Sequence, residues 1–483
     1  MKVLLINPPD DLAAFLGEGK NLVHPYEPLG LLYVAAVARE AGFSVTVLDA
    51  NAEGLDLEQT LTNILAQQPD VVGFTTFTSN GGIVYHLGKR LKQALPSAWV
   101  VFGNVHAGVY AEQYLKCQCC DFVIHGEGEW SFLALLKALQ QEKPDFSAIP
   151  NLSYLQNGTH VSTSTFGFVD RLDEIPMPAR DLVKRELYKT PLFNNLAADG
   201  KVIAKHMFTS RGCPFRCTFC VVHHGAKPRY NGVTQVVDEM EMLIREYQAN
   251  YIFFMDSLFI SNKQRVMAIC DEIRRRNIQV RWGCEGHVRF IDEELVRAMD
   301  LAGCHDMAFG IESGVQRLLD NIRKGIKLER VEEAIRIVRA CSDIQLSGLF
   351  ILGLPGETEE DTLQTIAFAK RLPLDTAQFS LLVPYPGSPL FRELAQKGEL
   401  DTAIRENDTL APEVWMRYCG YISYTDRQPI WVTPSMTGPQ LKRLQKRAVR
   451  EFYFRPRQFW HQAKRLRLSQ LPVIIRTFLK TFF

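Results

Sequence analysis

The chain has 483 residues, a formal net charge of +1 and a hydrophobic fraction of 46%. Such a length suits two or three domains, and a charge near zero argues against a chain built to grip nucleic acid. The eleven cysteines are not spaced like a secreted disulfide framework, so they read as thiols of a reducing cytosol.

No run approaches the roughly 18 apolar residues of a spanning helix. The opening Met1–Ile6 leads directly into Asn7-Pro8-Pro9, not into a signal-peptide cleavage site. The expectation is a cytoplasmic protein.

Residues 1–140 alternate short apolar runs with helical patterns. Val3–Ile6, Val45–Leu48, Val71–Phe74, Val100–Phe102 and Phe122–Ile124 read as strands, and 29–41, 57–67 and 84–95 as helices. Continuous apolar runs of this kind predict a parallel sheet covered on both faces. The domain is therefore α/β, doubly wound and Rossmann-like, with its ligand outside the carboxyl ends of the strands. The loops there are small and polar: Thr75-Thr76-Phe-Thr-Ser-Asn80, Gly103-Asn-Val-His106-Ala107 and Gly126-Glu127-Gly-Glu129. No G-x-G-x-x-G follows the first strand, which argues against a dinucleotide. Cys117, Cys119 and Cys120 read as free thiols.

Residues 141–200 have weak periodicity and several prolines, with Asn157-Gly158 marking a small hairpin. They read as a linker. From 201 to 395 the alternation resumes: strands at 205–209, 251–255, 280–283, 306–311, 345–352 and 377–383 are separated by helices. Six such units predict a partial (β/α)6 barrel whose chemistry lies at the carboxyl ends of the strands.

The first of these strands leads into Arg211-Gly212-Cys213-Pro-Phe-Arg-Cys217-Thr-Phe219-Cys220. Three thiols suit an iron–sulfur cluster with one iron left open. A zinc knuckle completed by His223 or His224 is the competing reading of the spacing. C-x3-C-x2-C, with Phe219 before the last cysteine, resembles the signature of the radical S-adenosylmethionine (SAM) superfamily. The resemblance implies that Cys213, Cys217 and Cys220 ligate a [4Fe–4S] cluster. The open iron would bind SAM, whose cleavage yields a 5′-deoxyadenosyl radical. The runs Gly310-Ile-Glu312-Ser-Gly and Gly353-Leu-Pro-Gly356-Glu-Thr resemble that superfamily's SAM-binding strands. On this basis Phe219, Asp256, Glu312, Gly353 and Gly356 are the SAM candidates: Asp256 for the ammonium, Glu312 for ribose hydroxyls, and the glycines for close backbone approach.

The first domain resembles the cobalamin-binding domain that precedes the barrel in many of these enzymes. The run at 28–33 and the three polar loops carry the likeness. It implies cobalamin contacts at Thr75, Thr76, Gly103, His106, Gly126 and Glu127. The D-x-H-x-x-G motif of cobalt-ligating domains is absent from the sequence. The family resemblance, to class B radical SAM methyltransferases and the anaerobic magnesium-protoporphyrin ester cyclases, implies methylation of an unactivated carbon of a hydrophobic small molecule. The alternative is oxidation, cyclisation or rearrangement of a tetrapyrrole or lipid. A non-catalytic cobalamin or iron–sulfur sensor is a third class. A reductant such as flavodoxin or ferredoxin would be needed, and no catalytic residue beyond the cluster is assigned.

Residues 396–483 read as a helical, basic and aromatic region. Trp415, Tyr418, Tyr421 and Tyr424 cluster in it as cavity lining or packing. From Gln440 onward twelve Lys or Arg face one acid, Glu451. That pattern fits a helix packed on the barrel or one lying on an anionic membrane, with RNA binding as a third reading that no recognition module supports.

Overall fold

The structure is a computed structural model. It describes residues 1–10, 25–163, 167–188, 202–221, 224–400, 415–425, 427–456 and 458. Two compact units emerge. One holds 1–189, 221–225 and 384–419, and the other 190–220, 226–383 and 420–483.

The first unit is built on a seven-stranded sheet. Its strands are β1 (Lys2–Asn7), β2 (Ser44–Asp49), β3 (Val71–Thr75), β4 (Trp99–Gly103), β5 (Phe122–Ile124), β6 (Leu152–Gln156) and β7 (Thr159–Ser162), in the order β2-β1-β3-β4-β5-β6-β7. The first five are parallel. β3 is buried along its whole length, as a strand covered on both faces must be. Helices Leu29–Glu40, Leu57–Gln67, Gly81–Ala94 and Glu129–Leu139 connect the strands. The second of these starts on a capping box between Asp56 and Gln59.

The hairpin expected within a linker is instead part of this sheet. β6 pairs antiparallel with β5, and β7 with β6. Leu152 and Tyr154 join the core with Phe122, Phe132 and Leu135. Asn157 and Gly158, both at positive φ, make the two-residue turn.

The second unit contains six parallel strands in unbroken chain order. They are β8 (Ala204–Met207), β11 (Tyr251–Phe254), β12 (Arg281–Gly286), β13 (Cys304–Glu312), β14 (Gln345–Leu352) and β15 (Thr376–Leu381). β8 and β15 lie at opposite edges, so this is the open partial barrel that the alternation predicts. Between β8 and β11 a short antiparallel pair, β9 (Ser210–Arg211) and β10 (Arg229–Tyr230), closes the base of the cysteine loop. Burial alternates along β14: Leu346, Gly348, Phe350 and Leu352 are buried, while the residues between them are partly exposed on the inner face.

The helix Gly438–Tyr453 packs on edge strand β15. Its buried stripe is Leu441, Leu444, Ala448 and Phe452. It also satisfies backbone groups of that edge: Gln445 Nε2 donates to the Phe379 carbonyl at 2.8 Å, and Tyr453 Oη donates to that of Ala377 at 3.0 Å. An open edge needs such cover. Of the two readings of the basic C-terminal stretch, residues 438–453 take the packed one. Residues 459–483, which carry much of the membrane expectation, lie outside the described residues. Among the described residues no helix is long and apolar enough to cross a membrane.

Candidate functional site

The cysteine loop leaves β8 through Thr209 and β9, and Gly212 turns it at φ +94°. A side chain is disfavoured at that φ, which accounts for the glycine. Cys213 and Cys217 are half-buried and Cys220 is exposed. Burial raises the thiol pKa values of Cys217 and of Cys220, the latter to about 11, while the Lys324 ammonium pulls both down. The loop is braced from three sides. Phe215 stacks on His287, just beyond β12, with centroids 4.1 Å apart and rings 7° from parallel. Thr218 N donates to the Ile322 carbonyl at 3.0 Å, and Cys220 N to that of Cys217 at 3.2 Å.

The third brace is Asp256, just beyond β11. Its buried carboxylate accepts from Thr209 N, Thr209 Oγ1 and Ser210 Oγ, each at 2.6 Å. Burial raises its pKa, and those donors oppose the rise. Arg265 completes the clamp, donating to the carbonyls of Thr209 at 2.6 Å and Asn231 at 3.2 Å. The expected ammonium acceptor is thus engaged at both oxygens in fixing the start of the loop.

Glu312 ends β13 at φ +66°, after a register shift between Gly310 and Glu312. A non-glycine residue there is strained, and such strain concentrates at functional sites. Its Oε1 accepts from Lys324 Nζ at 2.6 Å, and both side chains are buried. Burial alone would lower the Lys324 pKa, but Glu312 and the Cys217 and Cys220 thiols raise it on balance. Gly310 makes room for the pair: a Cβ there would lie 2.5 Å from Glu312 Oε1 and 2.7 Å from Lys324 Nζ.

The other SAM candidates are placed differently. Phe219 is half-buried in the loop. Gly353 and Gly356 have positive φ, but a Cβ on Gly353 would strike Leu441 at 2.7 Å, so it faces the C-terminal helix. Gly353 N and Leu354 N both donate to the buried Glu357 carboxylate, at 2.8 and 2.7 Å. Among the described residues, a Cβ on Gly356 would meet only Arg317 Nη1 at 3.6 Å and Asn321 Nδ2 at 3.9 Å.

In the first unit the polar loops meet at the carboxyl ends of β3 and β4. Thr76 N donates to the Gly103 carbonyl and His106 N to that of Thr76. Thr75 Oγ1 accepts from Asn104 at 3.0 Å. His106 is fully buried against Tyr110 and Trp415, with ring centroids at 4.9 and 4.6 Å, and burial lowers its pKa to about 3. Both its nitrogens, with Thr76 Oγ1, Tyr110 Oη and Trp415 Nε1, are buried without a hydrogen-bond partner among the described residues. Orphaned polar atoms gathered in one place mark where a ligand rich in amide groups would be satisfied. Cobalamin, with its amide side chains, has the chemistry to meet such atoms. Gly126 turns its loop at φ +62°. Glu127 accepts from Val169 N at 2.7 Å and meets His224 Nδ1 at 3.1 Å. His223 lies outside the described residues.

Known proteins place the chain in a family. The B12 binding domain family matches residues 19–136, and the radical SAM superfamily matches 207–369. A relative named as an uncharacterized methyltransferase of Pyrococcus horikoshii is 34% identical over 461 residues, 95% of this chain and 93% of that one. The chain belongs to the cobalamin-binding radical SAM family. Its cofactors are a [4Fe–4S] cluster, SAM and cobalamin. The cytidylyl-2-hydroxyethylphosphonate methyltransferase of Streptomyces wedmorensis is 29% identical over 83% of each chain. The anaerobic magnesium-protoporphyrin IX monomethyl ester cyclase of Rubrivivax gelatinosus is 28% identical over 83% of this chain and 71% of that one. The fold is also that of the radical SAM methyltransferase TsrM from Kitasatospora setae, with a TM-score of 0.68 at 20% identity over 97% of this chain and 89% of that one.

Glu312, at the carboxyl end of β13, and the thiol loop after β8 mark the barrel mouth. Sequence reasoning missed His287, Arg265 and Glu285 in it. Glu285 had a signal: it shares a strand face with Gly283, two residues away.

Proposed function

We propose that the chain is a cobalamin-dependent radical SAM methyltransferase acting on an unactivated carbon of a hydrophobic small molecule. The observation that carries this reading is the three-thiol loop braced at the mouth of a partial barrel, beside the buried Glu312–Lys324 pair. When bound, the cluster with SAM supplies a hydrogen-abstracting carbon radical, and cobalamin supplies a transferable methyl group.

The chain's own residues hold and orient. Cys213, Cys217 and Cys220 are the cluster ligands in this proposal, and Phe219 packs beside them. Lys324 offsets thiolate charge, and Glu312, fixed by Lys324, is placed to accept from ribose hydroxyls. Thr76 and His106 contribute the unsatisfied polar atoms of the cobalamin site, with Gly103 and Gly126 shaping its loops. Thr75 and Glu127 act by fixing those loops. Electrons come from a small reductant such as flavodoxin or ferredoxin.

The test is anaerobic reconstitution with iron, sulfide, hydroxocobalamin and SAM carrying a deuterated methyl group. Formation of 5′-deoxyadenosine with label in a product from a cell extract is expected, and Cys217→Ala should lose the cluster's visible absorbance. 5′-Deoxyadenosine with an altered but unlabelled product would instead favour oxidation, the second reading that the cyclase relatives support. Absence of both would overturn the enzyme reading.

A further inference from the structure

The barrel mouth contains a carboxylate with no assigned role. Glu285 lies near the end of β12, paired in register with Ala308 of β13. Alternation places its neighbour Cys284 in the core, fully buried, and puts Glu285 on the inner face with Gly283. A Cβ on Gly283 would strike the Asp306 carboxylate at 2.6 Å, and one on Gly310 would strike Glu312 and Lys324. The inner face of these two strands therefore runs from Asp306 up to the Glu312–Lys324 pair.

Glu285 is solvent-exposed, yet burial among its neighbours is the first cause raising its pKa, followed by the Glu312 charge, with Lys324 opposing. Lys324 is hydrogen-bonded to Glu312 at 2.6 Å, while no hydrogen bond or ion pair reaches Glu285 among the described residues. Glu312 and Lys324 pair with each other, which leaves Glu285 as a further carboxylate on the same face of the mouth. SAM, with its sulfonium, carries one net positive charge at neutral pH. Asp256 accepts from Thr209 and Ser210 at both oxygens, contacts that hold the start of the cysteine loop.

We propose that Glu285 is a carboxylate of the barrel mouth that provides the counter-charge for the sulfonium of S-adenosylmethionine. This rests on the radical SAM reading. It assigns Asp256 to holding the cysteine loop, a positioning role exerted through the thiols.

The experiment measures binding of SAM and of neutral S-adenosylhomocysteine to the reconstituted full-length protein by anaerobic equilibrium dialysis, per mole of cluster. Glu285→Gln should weaken SAM by about tenfold or more, the scale of a lost charge-assisted contact, and S-adenosylhomocysteine by much less. Glu285→Asp, which keeps the charge, should restore most of the preference for SAM. Asp256→Asn should lower the iron and sulfide retained while leaving SAM affinity per cluster within about twofold. Unchanged SAM binding in Glu285→Gln, or equal weakening of both ligands, would overturn the assignment. So would an Asp256→Asn protein that keeps its cluster and loses SAM. If the wild type binds a cluster but no SAM, the radical SAM reading itself fails, and this inference with it.

Discussion

Replacing Lys324 by methionine should be among the most damaging single changes in the barrel. The ammonium sits 2.6 Å from Glu312 Oε1, and both side chains are buried. At that distance and an effective dielectric of about 20, the Coulomb attraction is about 6 kcal/mol. Desolvating the two ions costs several kcal/mol each, so the net worth of the pair is small. Removing one partner is different, because it leaves the other ion buried and uncompensated. Lys324→Met should therefore cost about 3–5 kcal/mol, whereas the double change Lys324→Met/Glu312→Gln should cost only about 0–2 kcal/mol. Urea unfolding of the cluster-free proteins, arranged as a double-mutant cycle, measures the difference. A double variant no more stable than Lys324→Met alone would refute the argument, since it would mean that an unpaired Glu312 carries no burial penalty.

Two further changes test other parts of the structure. Burial raises the Glu357 pKa to about 7, against the donations of Thr362, Leu354 and Gly353. A carboxyl whose folded pKa is raised adds stability that is complete below its unfolded pKa, near 4.5, and is lost as pH rises through the folded value. Relative to Glu357→Gln, the wild type should thus lose about 3 kcal/mol between pH 4.5 and 8, and equal pH slopes in thermal unfolding would contradict this. Gly81→Ala would place a Cβ 2.6 Å from His106 Nε2 and 3.1 Å from Tyr114 Oη. It should cost about 1–3 kcal/mol and reduce cobalamin retained after gel filtration, and full retention would argue against a cobalamin site around His106.

Much of this was legible in the chain itself. Apolar runs such as Val71–Phe74 and the helical periods between them reflect local geometry, so the two α/β architectures follow from their alternation. The thiol spacing is local as well, and it places three ligands on one loop before any packing is known. The hairpin at 152–162 was visible too, through Asn157-Gly158, but its sheet partner was not. Pairing with β5 depends on which edge remains open once the parallel strands have assembled.

Partner choice escapes a linear reading. The fold brings Thr209 to Asp256 and Leu441 to Gly353, neighbours that no local pattern names. Lys324 reaches Glu312, twelve residues back, because the chain leaves β13 through a left-handed residue and returns. Sequence by itself determined the elements, their order and the cluster chemistry, because periodicity and ligand spacing are written within a few residues. Only tertiary structure decided which carboxylates are engaged and which face the mouth, because that depends on strand register, a bulge and burial contributed by distant segments.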